Sequence, residues 1–342
     1  MNAARFDAAW LMRQQFPAVQ YVVPGIVPEG MTLLVAAPKI GKSWMVLGLG
    51  VELARGGEAF GSIPIGAPRP VLYLALEDGQ RRLQDRLIRL APKEISANLE
   101  FITAVATGEV LSTIQGFMQA QAGLNPVVIL DTLGKVMPPA GNGSQYGHDY
   151  KVLSDLKATA DAVPGSSLVI VHHTRKMDAG DFLDAVSGTQ GIAGAADTVL
   201  LLKRERNEKR ATLYVTSRDA AEGEYSLTMN ENGQWNLEGD SLAEAAQNAQ
   251  TAKATDGLGD RSAKLIETIS RYPEGIKPAD LKLLHSDISN VDEYLRRASE
   301  SGRILKLSRG LYGPVRSVSS VSLQPSELTQ LTELTPPPEV NR

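Results

Sequence analysis

No cysteine occurs among the 342 residues, so disulfides, thiolate metal sites and a cysteine nucleophile are all excluded. No run of eighteen or more apolar residues is present, so no helix of the chain is expected to span a membrane. The opening residues, MNAARFDAAW, lack the basic-then-apolar layout of a secretory signal, and a cytoplasmic protein is expected. No excess of positive charge exists either. The net charge of −4 does not describe a protein coated in lysine and arginine for wrapping nucleic acid, although a ring or groove can concentrate its basic residues locally. No internal repeat is visible. What remains is ordinary for a globular chain, 43% hydrophobic and 22% charged, with room for one large α/β domain and one or two small pieces.

An amphipathic stretch over Phe6–Phe16 predicts a short helix, and Tyr21–Gly30 (YVVPGIVPEG) reads as a connector punctuated by Pro and Gly. Alternation follows. Met31–Ala36, Val71–Leu76, Val127–Leu130 and Ser167–Val171 are continuous apolar runs that predict buried strands. Lys42–Arg55, Gln80–Leu90 and Asp149–Ala162 predict helices between them, the first closed by Gly56-Gly57. Strands that are apolar on every residue and alternate with helices predict a mostly parallel sheet covered on both faces. Shorter strands over Thr198–Leu202, Ala211–Thr216, Glu224–Met229 and Gln234–Leu237 predict antiparallel additions to that sheet.

Beyond Ser241, an Ala/Gln/Asp-rich segment to about Asp260 reads as a linker. A compact unit follows. Ser262 is placed to cap a helix through Arg271, Pro278–His285 gives a second helix, and Ser289 caps a third that ends at Ser301. Arg303–Leu307 and Leu311–Val315 flank Ser308-Arg-Gly310 as a hairpin. Three helices and a hairpin form a winged-helix layout. The Ser/Thr/Pro-rich tail from Ser317 to Arg342 is expected to be disordered.

The chemistry concentrates at strand ends. Ala36-Ala37-Pro38-Lys39-Ile40-Gly41-Lys42-Ser43 fits the phosphate-loop pattern GxxxxGK[ST], with Ala in the first position. Its setting between a strand and a helix is the one the pattern requires. Backbone N–H groups and the helix N-terminus there cradle phosphate. Lys42 is assigned to the β- and γ-phosphates, and Trp44 closes the nucleotide-binding set. Ser43 is assigned to Mg²⁺, and Asp131, closing its own apolar strand, is the second metal candidate. Glu77 and Asp78 follow the strand over Val71–Leu76, where the carboxyl ends of parallel strands line a ligand crevice. Glu77 is assigned to activating the attacking water, and Asp78 reads as a cap for the helix beginning near Gln80. His172-His173 ends another strand and faces the same crevice, where a polar group can sense the γ-phosphate. Arg175 and Lys176 open the next loop, in contact with phosphate or DNA or simply solvated.

Together these elements resemble the RecA superfamily and, within it, the hexameric RepA-like helicases of plasmids and phages. The resemblance covers roughly Tyr21–Leu237 and rests on YVVPGIVPEG, APKIGKS, YLALED, VVILDTL, VIVHHTRK, GTQGIAGAADTVLLLKR and YVTSRD. It implies a RecA-like α/β ATPase domain over 31–240, after an N-terminal helix and connector over 1–30. A linker over 241–260, a winged-helix domain over 261–316 and a tail over 317–342 follow. It implies Glu77 as the catalytic glutamate, His173 as the γ-phosphate sensor and Arg218 as an arginine finger offered to a neighbouring subunit. Thr216 stands where related helicases often carry a lysine. The loops after Asp131 and after Lys176 correspond to central loops that bind single-stranded DNA, with Lys135, Arg175 and Lys176 as their basic residues.

The implied activity is a homo-hexameric, DNA-dependent ATPase using ATP and Mg²⁺, a replicative helicase with replication proteins as candidate partners. Two other readings stand beside it: a RecA-like ATPase that remodels DNA or a protein without unwinding, and an ATP-switched regulator. In the winged-helix unit Arg296, Arg297, Arg303, Lys306 and Arg309 form a basic cluster, set against Asp292 and Glu293. That cluster suits DNA, a protein partner or plain solvation.

Overall fold

Runs of Val, Ile and Leu become strands here because both faces of the sheet they form are covered. The computed structural model of the chain describes residues 5–90, 92, 94–106, 108–137, 145–173, 194–205 and 208–315. It divides into two compact units, Met1–Ala249 and Gln250–Arg342. Arg175, Lys176 and the tail over 317–342 lie outside the described residues.

The first unit opens with α1 (Ala8–Met12) and a two-stranded ladder, β1 (Tyr21–Val23) and β2 (Val27–Pro28), inside the connector. Helix α1 is shorter than the span over Phe6–Phe16 because Asp7 caps it, accepting from the Trp10 amide at 2.6 Å, and none of its residues is buried. Then come β3 (Gly30–Ala36), α2 (Lys42–Arg55), the small ladder β4 (Glu58–Ala59) and β5 (Ile63–Pro64), β6 (Val71–Ala75), α3 (Gln80–Leu90), β7 (Leu99–Ile102), α4 (Val110–Ala120), β8 (Val127–Asp131), α5 (Gln145–Asp161) and β9 (Ser167–His173). Strands β10 (Thr198–Lys203), β11 (Arg210–Ser217), β12 (Gly223–Met229) and β13 (Trp235–Leu237) complete it, followed by α6 (Leu242–Thr255).

Nine strands form one sheet in the order β13-β12-β11-β10-β3-β9-β8-β6-β7. The six from β10 to β7 run parallel, and β11, β12 and β13 are antiparallel additions. Alternate side chains divide between two cores, as the period of two along a strand demands. Leu34, Ala36, Tyr73, Ile129, Val171 and Leu202 pack with α2 and α3. Leu33, Val35, Leu72, Leu74, Leu130 and Ile170 pack with α4 and α5. This is a mostly parallel α/β sheet with helices on both faces, the RecA-like architecture expected.

The segment read as a linker is instead largely helical. Alanine is the strongest helix former, and Ser241-Leu-Ala-Glu244 starts α6 with a capping arrangement. The Glu244 amide donates to Ser241 Oγ at 3.2 Å, and the Asp240 amide to Glu244 Oε2 at 2.9 Å.

The second unit holds α7 (Asp260–Ser270), α8 (Pro278–Leu284), α9 (Val291–Glu300) and the hairpin β14 (Ile304–Ser308) and β15 (Leu311–Pro314). They surround Leu265, Ile266, Ile269, Leu281, Val291, Leu295 and Ile304. Two cap assignments are corrected. Gly259, not Ser262, caps α7, and Asn290, not Ser289, caps α9 from the left-handed region at φ 63°.

Candidate active site at the carboxyl ends of the parallel strands

Register places the chemistry. Ala36 at the end of β3 pairs with His173 on one side and Leu202 on the other. Asp131 pairs with Val171 and with Ala75. The P-loop, His173, Asp131 and the Glu77-Asp78 pair therefore leave the sheet at one edge, where ligands bind in open parallel sheets.

The loop keeps Ala in its first position because nothing there requires glycine. Ala36 is the last residue of β3 and is not among the residues at positive φ, a demand that falls on Lys39 at 67° and Gly41 at 104°. Gly41 is required twice over. A Cβ there would lie 2.9 Å from both Met229 Sδ and a ring carbon of Trp235. Two side chains distant in sequence hold the loop's carbonyls: Trp235 Nε1 donates to Gly41 at 3.1 Å and Arg204, just past β10, to Ile40 at 3.3 Å.

Lys42 is buried, and its ammonium donates to the carbonyls of Ala36 at 2.7 Å and Ala37 at 2.8 Å. Its third neighbour is His173 Nδ1 at 2.9 Å. On the far side of that ring, His173 Nε2 stands 3.7 Å from Glu77 Oε2. Burial lowers the Lys42 pKa to about 8, against the attraction of Asp131 and Glu77. Asp131 is buried and accepts from Tyr73 OH at 2.7 Å. Burial raises its pKa; the hydrogen bonds from Tyr73 and Ser43 oppose that, and Glu77 and Asp78 add to it.

Ser43 and Asp131 offer the hard oxygen donors magnesium prefers, beside a lysine placed for phosphate. Among the described residues no group of three or more His, Cys, Asp or Glu gathers to hold a metal alone. Two protein oxygens plus phosphate oxygens and water fit an ion that keeps most of its hydration.

A family model for an AAA domain matches residues 2–179, a span that contains the P-loop, Glu77, Asp131 and His173. The chain belongs to that AAA-domain family. Two solved structures are similar to it. One, described as an ATPase domain, matches with a TM-score of 0.49 and 16% identity over 61% of this chain and 85% of that one. A DnaB-like replicative helicase, described with its interactions with primase, matches with a TM-score of 0.49 and 17% identity over 61% of this chain. The match spans 57% of that helicase.

Within the first unit, Arg218 lies away from this site. Arg218 is exposed and follows β11, whose Ser217 pairs with Thr198, itself paired with Thr32 near the start of β3. It contacts Asp197, with backbone N to O at 3.0 Å and guanidinium to carboxylate at 3.6 Å. Arg218 thus sits at the amino end of β3, about 20 Å from the P-loop at ~3.3 Å per strand residue. Lys135 is exposed on the 3-10 turn Leu133–Lys135 that follows Asp131.

In the second unit, Arg296 pairs with both oxygens of Glu300 at 2.9 and 3.0 Å, and Arg297 pairs with Glu293. Arg303 donates to the carbonyls of Ala254 at 2.7 Å and Asp256 at 2.8 Å. Lys306 and Arg309 are exposed on the hairpin.

Sequence reading missed Tyr73, Arg204 and Trp235. Each acts across 58 or more residues of chain, and none carries a local signal. It also read Asp78 as a helix cap. Its two carboxylate oxygens instead accept from Arg82 NH1 at 2.9 Å and from Arg86.

Proposed function

We propose that this chain is a ring-forming, DNA-dependent ATPase that hydrolyses ATP with magnesium to move along single-stranded DNA, as a replicative helicase of a plasmid or phage type element. The observation that carries the reading is the continuous contact from Lys42 through His173 toward Glu77. Those three residues are the phosphate binder, the γ-phosphate sensor and the base. Phosphates lie on the loop's N–H groups and the N-terminus of α2. Glu77 takes a proton from water attacking the γ-phosphorus, and His173 registers whether that phosphate is present. Ser43 and Asp131 would hold magnesium, which would supply positive charge against the phosphates.

Arg218 supports assembly. Placed at the opposite end of its own sheet, it serves only a nucleotide on another copy. The domain reading follows: an ATPase domain over 31–240 and a winged-helix domain over 261–316, with Lys135, Lys306 and Arg309 toward DNA. A non-unwinding remodeller is the second reading, favoured by the internal pairing of Arg296, Arg297 and Arg303, which occupies three of the five cations of the basic cluster.

The deciding experiment measures ATPase rate with and without single-stranded DNA while mass photometry reports assembly. Stimulation together with a multi-subunit particle supports the reading. Lys42→Ala should lose ATP binding, and Glu77→Gln should bind ATP without turnover. Mixing Arg218→Ala with wild-type subunits should depress the rate beyond simple dilution, since an arginine finger contributes ~10³-fold or more. A monomer with full activity would overturn the ring.

A further inference from the structure

Glu77 has little holding it from its own side chain. It is 41% exposed, and its carboxylate stands 3.7 Å from His173 Nε2. A base that must aim a water at phosphorus needs its backbone fixed, and the residue after it is unusual. Asp78 has a side chain only 6% exposed, at a position where a helix cap would ordinarily accept from backbone N–H groups. It accepts instead from two guanidiniums, Arg82 and Arg86, both on α3. A buried carboxylate is tolerated only when paired, and this pairing ties the end of β6 to one face of α3.

That face leads back to the nucleotide loop. The Arg86 guanidinium lies 5.4 Å from the ring centre of Trp44, and Arg89 lies 4.9 Å from it. Trp44 directly follows Ser43 at the start of α2. Its ring is also crowded by the backbone of Gly233, where a Cβ would lie 2.3 Å from the ring. Arg89 donates to the Glu231 carbonyl at 2.8 Å, and Gln234 Nε2 to the Leu90 carbonyl at 2.9 Å. The other edge of the segment is held where the Leu76 amide donates to the Asp131 carbonyl at 2.8 Å.

We infer that Asp78 is a positioning residue for Glu77, held through Arg86 on Trp44 so that the base and the phosphate loop keep one fixed spacing. This inference rests on the reading of Glu77 as the base. The chain of contacts runs P-loop, Trp44, Arg86, Asp78, Glu77, and neither Arg86 nor Asp78 needs to touch the reacting atoms. Displacing a reacting group by about 1 Å costs up to ~100-fold in rate, so the loss from freeing Asp78 should appear in turnover and not in nucleotide affinity.

The test uses the full chain with Asp78→Asn, Arg86→Ala and Arg86→Lys, measuring kcat, KM and the Kd for ATP by calorimetry. Asp78→Asn and Arg86→Ala should lower kcat on the order of tenfold to a hundredfold with Kd unchanged, and Arg86→Lys should recover part of the loss. In a Glu77→Gln background, Asp78→Asn should cost nothing further, because residues acting as a unit are not additive. Circular dichroism and the thermal midpoint identify a variant that has lost its fold. Should Asp78→Asn misfold, Arg86→Ala against Arg86→Lys carries the test. If Glu77→Gln retains turnover, the catalytic reading fails. If Glu77→Gln is inactive while folded Asp78→Asn or Arg86→Ala turns over at the wild-type rate, only the positioning role fails. A Kd that rises in step with the fall in kcat overturns it equally.

Discussion

His173 Nδ1 lies 2.9 Å from Lys42 Nζ, a contact that spans 131 residues of chain. An ammonium can only donate, so Nδ1 is the acceptor and the neutral ring carries its proton on Nε2. That nitrogen faces Glu77. The ring therefore meets lysine on one side and carboxylate on the other, the placement that the proposed γ-phosphate sensor needs. His173→Ala should slow hydrolysis on the order of tenfold to a hundredfold while ATP still binds. Parallel calorimetry and steady-state rates check it; a proportional loss of affinity would assign the ring to phosphate binding.

Lys42 gives the site a pH dependence of defined sign. Its pKa falls from 10.5 to about 8 on burial. Between those values the unfolded chain keeps the proton and the folded chain has released it, so Lys42 makes stability rise with pH across that window and contributes no slope below it. Phosphate needs the charged amine. ATP affinity should weaken as pH climbs above about 8, with proton uptake on binding, seen as a buffer-dependent enthalpy in calorimetry.

Tyr73→Phe isolates the support beneath Asp131, the proposed metal ligand. It removes the 2.7 Å bond to Asp131 and leaves a buried carboxylate oxygen without that donor. A loss of about 1 to 3 kcal/mol is expected. All three tryptophans fall in the first unit, so urea titration followed by their fluorescence reports the unit that contains Tyr73.

Within the basic cluster of the second unit, Lys306 and Arg309 are the two exposed on the hairpin. If they contact DNA phosphates, replacing both with Ala should reduce the slope of log affinity against log salt by about two. Arg296→Ala, whose guanidinium is occupied by Glu300, should change it little. Fluorescence anisotropy on duplex DNA at several salt concentrations tests both.

The site was legible where one short stretch carries both structure and chemistry. Ala36–Ser43, Asp131, Glu77 and His173 each stand at the end of an apolar run, and parallel pairing brings such ends together without further information. Legibility failed where a side chain acts across the sheet. Nothing near Trp235 announces a bond to Gly41, and nothing near Tyr73 announces Asp131, because packing chooses those partners. Asp78 was misread because an acidic residue before a helix fits a cap, and only the spacing of Arg82 and Arg86 along one face of α3 would have argued otherwise. Strand β7 and helix α4 were missed as well; β7 is a short edge strand with no buried residue. In α6, alanine content and the Ser241–Glu244 spacing were signals available and not used.

The bond from Trp235 to Gly41, with that from Arg204 to Ile40, sets a lower bound on any minimal ATP-binding fragment. The family match stops at residue 179, yet a fragment cut there would lose the two side chains that brace the loop's carbonyls, together with the strands that carry them. A clone meant for nucleotide soaking or inhibitor screening must run through Leu237, where β13 ends. One stopped earlier would still contain every residue of the phosphate-loop pattern and would present it unbraced.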